Sequence, residues 1–307
     1  MSMTTETQSV GDVSRPPERF TVHQRLPWKT LLAGAAFAAL VLVVVRELVT
    51  NPRMGWDTVG EYLFSDAILQ GVGVTIQLTL LSLVFGVVLG FLLAVAGASR
   101  NPVARAFNFS FIAVFRGTPL LVQLLIWYNL ALFLPELGLG IPFTGLWRSW
   151  DTNEVITGFT AALLGLALNE AAYMSEIFRG GFAAIPKGQT EAALGLGMRP
   201  TSVTFRIVLP QSIRVISPAV GNQMILLLKT TSLVAVIGGG DLLTRAQYIY
   251  GQNLKIIPML VVVTIWYLAL IAVAQVGQYY LERRFSGSHR RLSAMRRLTA
   301  GSIGRNN

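Results

Sequence analysis

The sequence predicts an all-α integral membrane protein, a polytopic bundle of six transmembrane helices with both termini in the cytoplasm. Three observations predict it. Of the 307 residues, 53% are hydrophobic and only 13% are charged, whereas a soluble domain carries about 25% charged residues. Long runs lack any charge, and most of the basic residues flank those runs on the same side of the predicted membrane. A soluble fold is therefore disfavoured.

Six segments are candidates for crossing a hydrocarbon layer of about 30 Å, which takes roughly 20 mainly apolar residues. They lie at about 28–49, 72–98, 109–134, 155–178, 216–238 and 257–281. The second lies within a run without charges from Ala67 to Ser99. The third contains Arg116, Gly117 and Pro119, a combination that interrupts a helix and frees backbone groups. We therefore expect a helix break near the transport pathway.

The basic residues predict the orientation. Six crossings put both termini on one side, and that side receives 18 of the 25 lysine and arginine residues. Because lysine and arginine near helix ends mark the cytoplasmic side, both termini are expected there. A five-helix arrangement without the first segment would leave the basic N-terminal residues outside.

Composition and motifs exclude several kinds of chemistry. Cysteine is absent, and the two histidines, His23 and His289, lie in polar terminal segments, so metal and thiol sites are disfavoured. No Gly-Lys dipeptide occurs, which excludes a phosphate-binding loop of the Gly-x-x-x-x-Gly-Lys type. An intramembrane enzyme lacks support because neither His-Glu-x-x-His nor Gly-x-Ser-x-Gly is present.

A polar segment between the fourth and fifth spans carries the most specific motif. It reads Glu191-Ala192-Ala193, three residues, Gly197, nine residues, Ile207, one residue and Leu209-Pro210. This pattern resembles the EAA loop in the membrane subunits of binding-protein-dependent ABC importers. The expected structure is a short helix ended by Gly197 in the left-handed conformation. Helix propensity alone would equally allow an ordinary amphipathic linker.

Further segments resemble the polar amino acid permease branch of that family, at 116–123, 169–177, 187–193 and 228–233. The resemblance implies a type 1 transmembrane domain at 71–282, with the coupling loop at about 186–210. Outside it lie a polar cytoplasmic tail (1–27), an extra N-terminal helix (28–50) and a basic cytoplasmic tail (283–307). Both the extra helix and Thr230, where many relatives have aspartate, depart from the family pattern.

The resemblance also implies a function and partners. The chain is expected to be the permease subunit of an ATP-driven importer for a polar amino acid, in the bacterial cytoplasmic membrane. Expected partners are an ABC ATPase dimer, a second permease subunit and an extracytoplasmic binding protein, with no nucleic acid. This chain would bind no cofactor, because ATP and Mg would sit on the ATPase. A secondary transporter or channel is the alternative.

Two charged residues inside the spans are candidates for function, because an ionisable group at mid-bilayer is costly unless it is paired or faces water. Glu170 and Lys229 could neutralise each other as a structural pair. Alternatively, they line a substrate pathway together with three further residues, Arg116, Asn169 and Tyr173. Both alternatives remain open on the sequence.

Two local contacts are also expected. Glu176 lies three residues before Arg179, a helical spacing that suits a structural ion pair. Gly86 and Gly90 have the small-xxx-small spacing that permits close helix packing.

Overall fold

The computed structural model describes residues 28–140 and 148–303, with side chains described as far as 283. The predicted polar tail at 1–27 lies outside the described residues. The chain divides into two compact units, one ending at Asn51 and the other beginning at Pro52. The described part of the first unit is helix α1, Trp28–Thr50, whose side chains are all exposed. Its 23 residues span about 35 Å.

The second unit is almost entirely helical. In chain order its helices are α2 (Trp56–Tyr62), α3 (Asp66–Ala98), α4 (Pro102–Gly117), α5 (Leu120–Tyr128), α6 (Thr152–Val155), α7 (Gly158–Ala183), α8 (Lys187–Gly195), α9 (Pro200–Val203), α10 (Leu209–Thr230), α11 (Leu242–Asn253) and α12 (Ile256–Ile303). Short 3-10 turns cover Pro52–Met54, Leu130–Leu132 and Thr231–Ile237, and a π-helical turn covers Thr204–Val208. Two antiparallel strands, β1 (Glu136–Leu139) and β2 (Arg148–Asp151), pair with Glu136 opposite Asp151.

The centre of the second unit is the packing of α3 against α7. A Cβ atom added at Gly86 would lie 2.5 Å from Cγ of Glu170, and one added at Gly90 would lie 2.5 Å from Cβ of Met174. Only glycine permits this approach, which confirms the close packing predicted from the spacing of Gly86 and Gly90.

Four helical stretches of the described chain are long and apolar enough to cross a membrane: Trp28–Thr50, Asp66–Ala98, Pro200–Ile237 and Ile256–Arg283. The predicted third span is a bent pair instead of one helix, because α4 and α5 meet at 100° around Thr118 and Pro119. If that pair counts as one span, the number rises to five.

Helix α7 covers most of the predicted fourth span, but its mean hydropathy is too low for it to count among these stretches. It is long enough, because 26 residues span about 39 Å. Its polar residues Glu170 and Ser175 are buried among neighbouring helices. A helix surrounded by protein does not need the composition of one that faces lipid, since its polar groups find partners within the bundle.

The C-terminal part of the chain differs from the prediction in two ways, an additional helix after the fifth predicted span and a longer last helix. The 3-10 turn that follows α10 ends before Gly238, which has φ +65°, and a separate helix, α11, precedes α12. Helix α12 continues past the predicted end of the sixth span at Leu281 as far as Ile303. The basic tail predicted at 283–307 is thus helical over most of its length.

Candidate functional site

The predicted pathway residues meet at a cavity of about 420 Å³ between α4, α5, α7 and α10. Arg116, Asn169, Glu170 and Tyr173 all line it. The remaining lining residues are Gly117, Thr118, Pro119, Leu120, Leu166, Gln223, Leu226, Leu227, Thr230 and Leu233. Its volume falls in the range of small-molecule sites, roughly 300–1,000 Å³.

The break between α4 and α5 forms one wall of this cavity. A helix that ends inside a bundle leaves backbone carbonyls that require donors. The Gln123 side-chain nitrogen donates to the carbonyls of Phe115 at 2.9 Å and Thr118 at 3.1 Å. The Asn169 side-chain nitrogen also donates to the Phe115 carbonyl, at 2.7 Å. Two side chains from α5 and α7 therefore satisfy carbonyls at the break, and the helix interruption predicted from Arg116, Gly117 and Pro119 is confirmed.

Arg116 lies at the exposed side of the cavity, with 40% of its side chain accessible. Its guanidinium stacks on the Tyr173 ring at 5.1 Å from the centroid. Nη1 of Arg116 lies 3.8 Å from Oε2 of Glu176, and the same oxygen accepts from Nη2 of Arg179 at 2.6 Å. The predicted Glu176–Arg179 ion pair is therefore confirmed, and it extends to Arg116.

Glu170 is the most deeply placed charged residue of the cavity, with 2% of its surface exposed. Oε2 accepts a hydrogen bond from the Gln223 side chain on α10 at 3.1 Å. Oε1 has no hydrogen-bond partner among the described residues.

Lys229 lies elsewhere, in a second, shallower cavity of about 450 Å³ that is also lined by Ser232, Leu243, Leu260, Val263, Thr264 and Tyr267. Its side chain is exposed. Within the part of the chain that the structure describes, Lys229 and Glu170 form no ion pair. The sequence alternative of a structural pair between Glu170 and Lys229 is therefore not what the structure contains. The reason is that neighbouring positions of one helix point to different sides: Thr230 lines the first cavity and Lys229 the second.

The predicted EAA loop folds as a helical hairpin at one end of α10. Glu191, Ala192 and Ala193 lie on α8, and Gly197 follows it with φ +80°, which confirms the expected left-handed conformation. The Met198 amide donates to the Ala193 carbonyl at 3.2 Å, closing the helix end. Ala193 faces inward and is buried, whereas Glu191 and Ala192 are exposed.

The three remaining motif residues lie where the chain returns to the bundle. Ile207 is in the π-helical turn, and Leu209 and Pro210 begin α10. The Leu209 amide donates to the Thr204 carbonyl five residues earlier, a π-type bond. Since proline has no amide hydrogen, the irregular turn lies where an α-helical pattern would be interrupted in any case.

One side chain joins the hairpin to α10. The Gln211 side-chain nitrogen donates to Oε1 of Gln189 on α8 at 2.5 Å and to the Ile207 carbonyl at 3.0 Å. These hydrogen bonds connect α8 to the first turn of α10.

The tip of this hairpin presents apolar side chains. Leu196 is 85% exposed, and Leu194 is also exposed. Apolar groups gathered on a polar loop are typical of a surface that contacts another protein.

The sequence prediction did not name two polar residues of this region as site residues: Gln223, which lines the cavity, and Gln123, which donates to the carbonyls at the helix break. Each is a polar residue within an apolar helix, and that signal could have identified both.

Comparison with known proteins agrees with these features. The family described as "Binding-protein-dependent transport system inner membrane component" matches residues 86–287, more than half of the chain. The arginine transport system permease protein ArgU of Corynebacterium glutamicum is 42% identical over 266 residues, which cover 86% of this chain and 82% of that protein. The probable amino-acid permease protein YxeN of Bacillus subtilis is 34% identical, covering 75% of this chain and 97% of that protein.

Solved structures give the same fold. A crystal structure of an amino acid ABC transporter with histidines matches with a TM-score of 0.60 and 32% identity, over 71% of this chain and 94% of that one. The methionine ABC transporter MetNI in an inward-facing conformation matches at 19% identity and a TM-score of 0.55, over 72% and 99% of the two chains, which concerns the fold alone. Helix content, the α7 core, the EAA hairpin and these matches lead to one conclusion: the chain belongs to the family of binding-protein-dependent transport system inner membrane components, and is a transport subunit and not an enzyme.

Proposed function

We propose that this chain is the permease subunit of an ATP-driven importer that moves a polar amino acid delivered by an extracytoplasmic binding protein. The observation that carries the proposal is the joint presence of a polar cavity beside a broken helix and an EAA hairpin attached to one of its walls, α10. Relatives named for arginine and amino-acid transport support the substrate class.

The hairpin would couple the ATPase to the cavity. Glu191, Ala192 and Gly197 would contact a groove on the separate ATPase, where ATP and Mg are bound. A movement of the hairpin would be transmitted through Gln211 to α10. The same helix carries Gln223, Leu227 and Thr230, which line the cavity. ATP-driven closure of the ATPase would thereby alter the shape of the cavity.

The membrane arrangement follows from the same account. Six crossings, with α7 as a polar fourth span and both termini cytoplasmic, place the hairpin on the side rich in arginine and lysine. The location would be a bacterial cytoplasmic membrane.

We propose that a second permease subunit covers Lys229. Its ammonium group is exposed within the Pro200–Ile237 stretch beside the apolar residues Leu260 and Val263. A charge in this setting is costly against lipid and tolerable against protein or a water-filled cavity. We place the interface between two permease subunits, identical or related, on this face.

The test is uptake of labelled amino acids into proteoliposomes that contain the permease, its ATPase and the binding protein. Uptake should require ATP on the side of the proteoliposome membrane that carries the ATPase. It should persist when ionophores dissipate ion gradients. A secondary transporter or channel would show the reverse, namely uptake without ATPase that collapses with the gradient.

A further inference from the structure

The helix that connects the hairpin to the pathway cavity changes its type at its far end. Helix α10 begins beside the hairpin and ends at Thr230, and the chain continues as a 3-10 segment, Thr231–Ile237. Runs of 3-10 helix longer than three or four residues are uncommon, because their hydrogen-bond geometry is poorer than that of an α-helix. A run of seven residues therefore marks a segment that its surroundings hold in this form.

The 3-10 segment belongs to the apolar seal at the end of the cavity away from the hairpin. Leu166 on α7 and Leu233 in the segment are the lining residues farthest from the hairpin on their two walls. Beyond them, Val234 and Ile237 are buried in an apolar cluster with Ala162 and with side chains of α3 and α5. The segment therefore contributes two of its side chains to the packing that closes this end of the cavity.

Polar contacts fix the chain on both sides of the segment. At its start, the Thr231 hydroxyl donates to the Leu228 carbonyl at 2.6 Å and lies 3.3 Å from the hydroxyl of Tyr267 on α12. Beyond its end, the Leu242 amide donates to the buried Thr75 hydroxyl on α3 at 3.0 Å. Because buried hydrogen bonds are costly to leave unmade, these two contacts serve as fixed points.

A glycine loop, Gly238–Gly240, lies between the segment and the second fixed point. Gly238 has φ +65° and Gly240 has φ +82°. The amides of Gly238 and Gly239 bond to carbonyls of the segment at 3.4 Å, longer than the usual range of about 2.7–3.2 Å. Glycine moves between backbone regions at little steric cost, so this loop can take up a change in the length of the segment.

We propose that the 3-10 segment is the gate at this end of the cavity, and that it opens by converting to α-helix while the glycine loop takes up the change. The inference rests on the proposed import function and names the element that moves. An α-helix rises about 1.5 Å and turns about 100° per residue, against about 2.0 Å and 120° for a 3-10 helix.

The two forms of the segment differ enough to open the seal. Over seven residues, conversion shortens the segment by about 3.5 Å and rotates its far end by about 140°. Val234 and Ile237 then leave the apolar cluster, while Thr231 stays bound to α12. The cavity thereby gains access to the end of the bundle away from the hairpin.

The experiment measures the length of the segment by spin-label distances in the complete importer. The chain contains no cysteine, so labels are attached at two exposed positions, Ile213→Cys on α10 and Val236→Cys in the segment. Importers in lipid nanodiscs, assembled with an excess of unlabelled permease, are compared without nucleotide and with vanadate-trapped nucleotide and the binding protein. The distance should shorten by about 2–3 Å, because five residue steps of the segment separate Thr231 from Val236.

Two controls distinguish the gate from other movements. The pair Ile213→Cys and Leu226→Cys lies within α10, and its distance should stay constant. Gly240→Ala places a side chain at φ +82° with no described atom within 4 Å of the added Cβ, so it disfavours only the loop conformation. It should raise the population of the shorter distance without nucleotide by about fivefold or more. Gly251→Ala, where φ is not positive and space is equally open, should have no effect.

Three results would overturn the inference and leave the import function intact. They are an unchanged Ile213–Val236 distance in complexes that carry out ATP-dependent uptake, an equal change in the pair within α10, and identical behaviour of Gly240→Ala and Gly251→Ala. An unchanged distance together with absence of ATP-dependent uptake by the unlabelled importer would overturn both the inference and the proposed function.

Discussion

Single residues decide the geometry of the cavity, and Gly90 is the clearest case. A Cβ at this position would lie 2.5 Å from Cβ of Met174 and 2.8 Å from the Ala171 carbonyl oxygen, so α3 and α7 would have to separate. We expect Gly90→Ala to destabilise the protein by about 1–3 kcal/mol through overpacking. The measurement is the thermal unfolding midpoint in detergent. Gly73→Ala is the control, because no atom lies within 4 Å of a Cβ added there on the same helix; an equal effect of both changes would contradict this account.

Gln123 gives a second prediction at the same scale. Replacing it by leucine leaves the Thr118 carbonyl without its side-chain donor and removes one of two donors to the Phe115 carbonyl. A hydrogen bond of this kind contributes about 0.5–1.5 kcal/mol, so the loss of these part-buried bonds in Gln123→Leu should lower the unfolding midpoint. Gln77→Leu, at an exposed position of α3, should not. A stable Gln123→Leu protein would mean that the Gln123 hydrogen bonds are not needed to hold the break.

Single residues also show what the sequence could and could not predict. Arg116, Asn169, Glu170 and Tyr173 were named as candidates because charge or polarity within an apolar helix is costly, and the structure brings all four to one cavity. Lys229 satisfied the same criterion, yet it lines another cavity. Sequence spacing gives the depth of a residue along a helix, whereas the side that it faces depends on how the helices pack.

At the scale of elements, the hairpin from α8 to the π-helical turn was the most predictable part. Its fixed residues have local reasons: Gly197 adopts a positive φ, and Pro210 lies where the helical pattern is already irregular. The bend of 100° between α4 and α5 was predicted only as an interruption, because Gly117 and Pro119 permit many angles and the angle seen depends on donors from α5 and α7. Polar α7 shows that hydropathy describes lipid-facing helices better than central ones.

The exposed tip of the hairpin yields a prediction about assembly. Leu196 is 85% exposed, and we expect it to be buried by the ATPase. Leu196→Asp should therefore reduce co-purification of the ATPase with the permease by about tenfold or more, the effect of losing an apolar anchor of a protein interface. Leu254→Asp is the matched control, since Leu254 is 81% exposed and follows α11, outside the hairpin. Undiminished co-purification of Leu196→Asp would remove this residue from the interface.

At the scale of the whole molecule, orientation is the first consequence to test. The chain contains no cysteine, so single cysteines can be introduced without background. In intact cells, a membrane-impermeant maleimide should label Leu254→Cys from outside. It should label Leu196→Cys only after the membrane is permeabilised. The opposite pattern would invert the topology and contradict the orientation inferred from arginine and lysine.

The central claim is that ATP hydrolysis on a separate subunit reaches the cavity through the hairpin. The most direct measurement is ATP-dependent uptake of labelled amino acids by proteoliposomes that contain the complete importer, with Glu191→Arg compared against Glu154→Arg, a charge reversal at another exposed position. The account predicts that Glu191→Arg abolishes uptake, with all subunits still inserted, while Glu154→Arg transports normally. Uptake that survives Glu191→Arg, or that continues without ATP, would contradict it.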